Sequence, residues 1–157
     1  MALARRKTRI AIVVPALDEG GGVTTVATYL VRVAETCMEA HVDLVSIPHA
    51  RNNAASGRLL DPLRWGARPQ IARRVFEDRE VLEIGGSLAE LEPVRYLSNR
   101  LRRSFLADYD LIQVVSGTPA WANTVLGAGP PVALQAATLT RVERGKVGRY
   151  GSFGRLV

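Results

Sequence analysis

The chain has 157 residues, 47% of them hydrophobic and 23% charged, which is the size and composition of a single globular domain over residues 1–157. This composition excludes an intrinsically disordered chain, and apolar runs such as residues 10–17 are far shorter than the ~20 residues of a membrane-spanning helix. With 21 basic residues against 15 acidic ones, the net charge of +6 favours anionic partners without choosing among them.

The first half of the chain alternates apolar, β-branched runs with helical periodicity, which is typical of a parallel sheet covered by helices. Residues 9–15 are predicted to form a buried strand, residues 23–37 a helix and residues 41–48 a second strand. Cys37 lies on the apolar stripe of that helix and is predicted to be a small core residue. As the single cysteine it excludes an internal disulfide. The N-terminal segment also lacks the features of a signal peptide, so a cytoplasmic protein is expected.

In the second half of the chain, the predicted strands and helices are less regularly spaced. Residues 50–69 are rich in turn formers and predict a long loop, with a short helix near residues 59–65. Further strands are predicted at 79–84, 111–115 and 131–135, one helix over 91–105 and another over 118–126 capped by Thr118. Arg102 falls off the apolar stripe of the 91–105 helix, and the tail from residue 140 shows no core pattern. The chain is therefore predicted to be an α/β protein, a Rossmann-like three-layer sandwich with a mostly parallel sheet of about five strands flanked by helices.

The turn after the first strand is the strongest candidate binding element. Gly20, Gly21 and Gly22 remove Cβ atoms where a ligand would approach the start of the following helix, and Thr24 adds a hydroxyl there. This pattern predicts a seat for a phosphate or a sugar hydroxyl, and the competing interpretation is a turn without a ligand. Neither a Gly-x-Gly-x-x-Gly nor a Gly-Lys-Ser/Thr motif is present.

Four segments in this order resemble the N-terminal domain of family-four glycosyltransferases. They are RIAIVVP (9–15) followed by the glycine turn and VTTVATYL (23–30), then DYDLIQVV (108–115), GAGPPVALQ (127–135) and ATLTRVE (137–143). No single motif is specific, so the resemblance depends on their order and spacing.

The resemblance implies the GT-B architecture, in which two Rossmann-like domains enclose the active site. It implies transfer of a sugar, with retention, from a nucleotide-diphosphate donor to a hydroxyl acceptor, without a required metal or other cofactor. Gly21 and Gly22 would then lie near the donor diphosphate or the transferred sugar. Ser116, Gly117 and Thr118 would line the acceptor side, as would residues 136–138 including Thr138. No catalytic residue is assigned.

Two features depart from that family. Many members place a histidine after the last strand, where this chain has Ala136 and Ala137, and His49 lies after the second strand instead. The C-terminal donor-binding domain with its paired glutamates is not in this chain, so the chain alone is not expected to turn over substrate. The alternative hypothesis is a stand-alone Rossmann-like module that binds a phosphorylated metabolite.

The segment from Arg51 to Arg79 carries seven arginines, with Trp65 and three leucines among them. It predicts either solvated arginines over a loop or peripheral contact with an anionic membrane, at the inner face of the cell membrane. Nucleic-acid binding is not expected, because aromatic residues are only 6% and no recognition motif occurs. His41 and His49 lack companions for a metal site, and Ser116 lacks a nucleophile elbow.

Overall fold

The computed structural model describes residues 6–15, 17, 21–47, 69–86 and 91–136. In these ranges six strands occur: β1 (Arg9–Val14), β2 (His41–Ser46), β3 (Ile71–Phe76), β4 (Arg79–Ile84), β5 (Leu111–Ser116) and β6 (Val132–Ala136). The same ranges contain the α-helices α1 (Gly22–Cys37), α2 (Glu92–Arg95) and α3 (Arg100–Leu106), and a 3₁₀ helix over Pro119–Val125.

The six strands form one sheet in the order β3-β4-β2-β1-β5-β6. All neighbours are parallel except β3, which runs antiparallel to β4 at the edge. The predicted α/β class and mostly parallel sheet are confirmed, and the strand order is compatible with a Rossmann-like fold. The sheet has six strands rather than about five.

The two faces of the sheet carry separate clusters of buried side chains. From β1, Ile10, Ile12 and Val14 pack with α1 on one face, whereas Ala11 and Val13 point to the face that holds α3 and the 3₁₀ helix. The chain moves outward from β1 to β2 through α1, and it returns to the other side of β1 through α3. Right-handed crossovers place helices on opposite faces when the direction reverses in this way.

Strand β3 was not predicted from the sequence. It forms a hairpin with β4 through Glu77 and Asp78, both in the left-handed region with φ of 48° and 62°. Two such residues give a tight turn that fits the twist of a hairpin, but the usual Asn-Gly signal is absent. Arg73 and Arg74, expected in a loop, lie on this strand and pair with Glu80 at 3.0 Å and Glu83 at 3.1 Å.

The single helix predicted over residues 91–105 is wrong, since α2 and α3 are separate. The helix α2 ends at Arg95, and Asn99 caps the start of α3 because its side-chain oxygen accepts a hydrogen bond from the backbone N–H of Arg102 at 2.8 Å. An asparagine in this role is an N-cap, which starts a new helix. The break also turns Arg102 inward, so that only 2% of its surface is exposed, against the prediction that it lies off the apolar stripe.

The connection between β5 and β6 is a 3₁₀ helix where an α-helix was predicted. Thr118 caps it as expected, its Oγ1 accepting from the N–H of Ala120 at 3.4 Å, and Pro119 occupies the first turn. Seven residues span about 14 Å in 3₁₀ geometry, compared with about 10 Å in an α-helix. The larger rise per residue of the 3₁₀ helix therefore helps a short connection return along the sheet to the start of β6.

Cys37 is exposed at the end of α1, so the prediction that it is a core residue is wrong. The helix periodicity places it on the apolar stripe, but the buried part of that stripe ends at Ala34, one turn earlier. The predicted short helix near residues 59–65 and the tail from residue 140 lie outside the described residues. No helix in the described ranges is long and apolar enough to span a membrane.

An ion pair joins α1 to the β3–β4 hairpin and gives a pH-dependent prediction. Arg79 donates two hydrogen bonds to Glu35, at 2.7 and 2.8 Å, and thereby lowers the pKa of Glu35 below its ordinary value of 4.5. The pair is therefore expected to stabilise the fold above that ordinary pKa and to stop doing so as the pH falls through the lower, folded-state pKa.

We expect Glu35→Gln to lower the free energy of unfolding at neutral pH by less than about 1 kcal/mol, because both side chains are more than one-third exposed. Urea unfolding at a series of pH values should show a shallower loss of stability toward acid in this variant. Glu80→Gln, which removes the more exposed pair with Arg73, is the control. An unchanged acid slope in Glu35→Gln would contradict the assignment.

Candidate functional site

The strand order predicts a ligand crevice at the carboxyl edge of the sheet, outside the ends of β1 and β5. Successive elements run from β1 toward β2 and β4 on one side, and then from β5 to β6 on the other side. Adjacent strands β1 and β5 are therefore the topological switch point, and ligands of open α/β sheets bind outside the carboxyl ends of the strands at such a point. The β1–α1 turn and residues 116–118, both predicted from sequence as binding segments, follow these two strands.

Gly21 has a backbone conformation that only glycine adopts without strain. Its φ of 88° and ψ of −167° lie in a region that is sterically closed to residues with a Cβ. Among the described residues, no heavy atom lies within 4 Å of where a Cβ of Gly21 or Gly22 would stand. The glycine at 21 is therefore required by the shape of the backbone, and no described side chain fills the space beside it.

The amino terminus of α1 presents N–H groups without a side-chain cap. Gly21 occupies the N-cap position and has no side chain that could cap the helix, and the first turn contains no acidic residue. The first N–H groups of a helix have no partner within the helix, and the macrodipole of a 16-residue helix makes this end electropositive. The geometry suits an anionic or strongly polar ligand atom.

The hydroxyl groups near this turn hold its shape. Thr24 is buried, and its Oγ1 donates to the carbonyl of Leu17 at 3.4 Å, while Thr25 Oγ1 donates to the carbonyl of Gly21 at 3.2 Å. The structure thus uses the hydroxyl of Thr24, predicted as a ligand group, to tie the turn to the helix. Its contribution to a ligand would be indirect.

At the carboxyl end of β5, as at the β1–α1 turn, a side-chain hydroxyl bonds to a backbone carbonyl of the protein. Ser116 is fully buried, and its Oγ donates to the carbonyl of Thr118 at 2.8 Å, which holds the start of the 3₁₀ helix. Gly117 follows it, half-buried at the edge of the sheet. On the other side of β1, Ser46 is buried and its Oγ donates to the carbonyl of Pro15 at 3.4 Å. Sequence patterns did not single out Ser46, because a lone serine at the end of a strand has no distinctive spacing.

Some predicted residues cannot be placed. Gly20 and Thr138 lie outside the described residues, as do His49 and Ala137. Among the predicted site residues that are described, the topology brings Gly21 and Gly22 to the same sheet edge as Ser116 and Gly117.

The strongly paired charges lie away from this crevice. At the amino edge of the sheet, the N–H of Arg9 donates to Asp110 at 2.8 Å, and this hydrogen bond is the main reason that the pKa of Asp110 is lowered. Within the described residues, no titratable group with a shifted pKa borders the β1–α1 turn. No group of histidine, cysteine or acidic side chains in the same ranges could hold a metal ion. The described part of this edge therefore offers a ligand backbone N–H groups at the start of α1.

A cavity of about 480 Å³ lies elsewhere, between α1 and the β3–β4 hairpin. Its walls include Thr28 and Arg32 of α1 and the charged residues of the hairpin. None of the residues predicted from sequence as binding residues lines it, so its size does not bear on the candidate site.

Comparison with known proteins adds no relative. No family model, curated protein or solved structure matches this chain. The resemblance to glycosyltransferases therefore depends only on the order of the motifs in the sequence.

Proposed function

We propose that this chain is the acceptor-side domain of a retaining glycosyltransferase and that the crevice between β1 and β5 binds a nucleotide-diphosphate sugar next to a hydroxyl acceptor. The observation that carries the proposal is the Gly21 turn, which opens the uncapped start of α1 at the topological switch point. The proposal includes a three-layer Rossmann-like arrangement and a second, donor-binding domain on the other side of the crevice.

In this proposal the domain works through its backbone. N–H groups at the start of α1 would donate to the diphosphate, and they would stabilise the negative charge that grows on it as the sugar leaves. Gly21 and Gly22 permit this because they place no side chain between the helix end and the ligand. The carboxyl end of β5, with Gly117, would border the acceptor. Side chains that act as acid or base would come from outside the described crevice.

The alternative is a stand-alone module that binds a phosphorylated metabolite at the same turn. It is favoured by the same start of α1, because an uncapped helix amino terminus suits any phosphate group. The two hypotheses differ in what the nucleotide contributes. A glycosyltransferase domain should bind a nucleotide-diphosphate sugar more tightly than the corresponding sugar phosphate, whereas a metabolite module should not distinguish them.

The test is titration of the ¹⁵N-labelled chain with UDP-glucose, GDP-mannose and glucose 1-phosphate, observed by NMR. We expect shifts centred on the amides of Gly21, Gly22 and Val23. Gly22→Val, at a position with ordinary backbone angles, should keep the fold and weaken binding by about 10-fold or more, the loss of at least one charge-assisted hydrogen bond.

Gly21→Val and Gly129→Val form the matched pair for this test. Both glycines have positive φ, of 88° and 109°, and open space at the Cβ position, so both substitutions strain the backbone. Only Gly21 lies at the crevice, since residue 129 precedes the amino end of β6. Equal binding by Gly21→Val and Gly129→Val, or shifts that avoid the turn for every probe, would show that the crevice is not the site.

A further inference from the structure

A small cavity lies beside the carboxyl end of β4, between α2 and α3. Its volume is about 200 Å³, smaller than the 300–1,000 Å³ of most small-molecule sites. The described residues around it belong to the end of β4, to α2, to the α2–α3 connection and to α3; they are Gly86, Val94, Arg95, Leu97, Ser98, Asn99 and Arg102. No acidic residue is among these lining residues.

Arg102 is the most unusual group in this wall. It is 2% exposed, and one of its terminal nitrogens, Nη1, donates to the carbonyl of Leu97 at 2.9 Å. Its Nε is buried without a hydrogen-bond partner, and no carboxylate of the described residues lies within ion-pair distance. Burial lowers the pKa of Arg102 to about 10, so the guanidinium keeps its charge at neutral pH. A buried charge without a counterion is strongly unfavourable, which calls for an anion at this place.

Two further donors in the same wall also have no partner. The Nε of Arg95 and the Oγ of Ser98 are buried, and neither makes a hydrogen bond in the described structure. Orphaned buried donors are rare in native proteins, and here three of them line one cavity. Water at this position would accept only two hydrogen bonds and leave the buried charge of Arg102 without compensation. An oxyanion has enough acceptors for all three donors and would supply the missing negative charge.

We propose that this cavity binds a phosphoryl group, either free phosphate or the terminal phosphate of a small metabolite. Two guanidinium groups supply two positive charges. A phosphate dianion neutralises both of them, whereas a carboxylate neutralises one. The Nε edge of a guanidinium is suited to bidentate contact with such oxygens. The volume admits a phosphoryl group with a few further atoms, but not a nucleotide. The inference is independent of the function proposed for the β1–β5 crevice.

Thermal unfolding and calorimetric titration of the full chain with inorganic phosphate test the site. At a phosphate concentration about 100 times Kd, the melting temperature should rise by roughly 5–10 °C. Arg102→Met or Arg95→Met should weaken phosphate binding by about 10- to 100-fold, and Ser98→Ala by less, since it removes a neutral donor. Arg100→Met is the matched control, because Arg100 is exposed on the same helix and carries the same charge.

A second readout separates ligand binding from a structural role. Without phosphate, Arg102→Met should melt at the wild-type temperature or above it, because the substitution removes an uncompensated charge. If Arg102 only holds the α2–α3 connection through Leu97, the variant should melt lower and keep the response to phosphate. That result would overturn the proposal, as would a wild-type chain whose melting temperature does not change in millimolar phosphate.

Separate experiments test which phosphate compound binds and whether a carboxylate of the chain itself is the counterion of Arg102. Glycerol 3-phosphate that binds more tightly than phosphate assigns the site to a phosphate ester, and the reverse order assigns it to the free ion. Acetate should not stabilise the chain, and stabilisation by acetate equal to that by phosphate would contradict a phosphoryl site. Glu90 and Glu92 have side chains outside the described structure, so Glu90→Gln and Glu92→Gln should leave phosphate affinity unchanged. A tenfold gain in either variant would identify that carboxylate as the counterion and overturn the proposal.

Discussion

Trp121→Ala is expected to lower the free energy of unfolding by about 3–5 kcal/mol. Trp121 is 6% exposed and fills the space between the 3₁₀ helix and the sheet face that carries α3. Its ring meets Tyr96 edge-on, with centroids 5.3 Å apart and planes at 79°, a geometry that adds to the burial of apolar surface. Truncation would leave a large cavity in a wall built from a short 3₁₀ segment, where few neighbours can move in to fill it.

Urea unfolding followed by far-UV circular dichroism measures this effect without using tryptophan fluorescence. Trp121→Phe is the control. It keeps an aromatic contact with Tyr96 and should lose less than half as much stability. The dependence of the unfolding free energy on urea should remain unchanged in both variants if the native state stays compact. A loss below about 1.5 kcal/mol in Trp121→Ala would mean that the 3₁₀ helix relaxes onto the sheet, contrary to the close packing of this face.

Asp43→Ala is expected to cost about 2–3 kcal/mol, the second-largest loss of stability. Asp43 accepts a hydrogen bond from the hydroxyl of Tyr109 at 2.8 Å, and Tyr109 is only 5% exposed. The guanidinium of Arg9 lies 4.7 Å above the Tyr109 ring and 3.7 Å from Asp43. Without the carboxylate, a buried hydroxyl would lose its acceptor and Arg9 would lose its anionic partner.

A double-mutant cycle with Tyr109→Phe isolates this contact. Asp43→Asn keeps an acceptor and should lose less stability than Asp43→Ala. The coupling between positions 43 and 109 should fall between about 0.5 and 3 kcal/mol. Additive effects of the two substitutions would show that the hydrogen bond contributes no stability.

The same tyrosine predicts a loss of stability at alkaline pH. Burial, followed by the hydrogen bond to Asp43, raises the pKa of Tyr109 above its ordinary value of 10. A raised folded-state pKa means that stability is fully present below the unfolded pKa and declines as the pH rises through it toward the folded value. Tyr109→Phe should therefore be less stable than wild type at neutral pH and should decline less steeply above pH 10.

The two edges of the sheet use different chemistry. At the amino edge, Arg9, Asp43, Tyr109 and Asp110 satisfy one another through side chains and contribute stability. At the carboxyl edge, the hydroxyl groups of Ser46 and Ser116 bind backbone carbonyls, and the turn around Gly21 leaves helix N–H groups open. This separation is expected of an open parallel sheet, because helix amino termini follow the carboxyl ends of its strands.

The elements that could be predicted are those whose burial is visible in the hydrophobicity of consecutive residues. Strands β1, β2 and β5 lie inside a parallel sheet with both faces covered, so apolar residues predominate in their sequences. Strand β3 was missed because it is an antiparallel edge strand whose middle is Arg73-Arg74. Its turn residues Glu77 and Asp78 are not typical of hairpins. At such a position the neighbouring strand, rather than local preference, determines the conformation.

In the candidate site, too, some features could be predicted from the sequence and others could not. The glycine turn could be found from sequence, since three consecutive glycines between a strand and a helix indicate a special backbone. The roles of Thr24 and Ser116 could not be found, because their acceptors are carbonyls that only the folded turns bring into reach. Arg102 looked exposed by helical periodicity, and its burial follows from the new helix that Asn99 starts.

Size, charge, the alternation of strands and helices and the glycine turn were therefore determined by the sequence alone, because each is a property of neighbouring residues. The tertiary structure decided the order β3-β4-β2-β1-β5-β6, which joins segments about a hundred residues apart at one crevice. It also decided that three donors of one cavity are buried without partners. The physical reason is that strand order and burial depend on which segments, distant in sequence, pack against each other and exclude water. Short stretches of sequence do not show which segments these are.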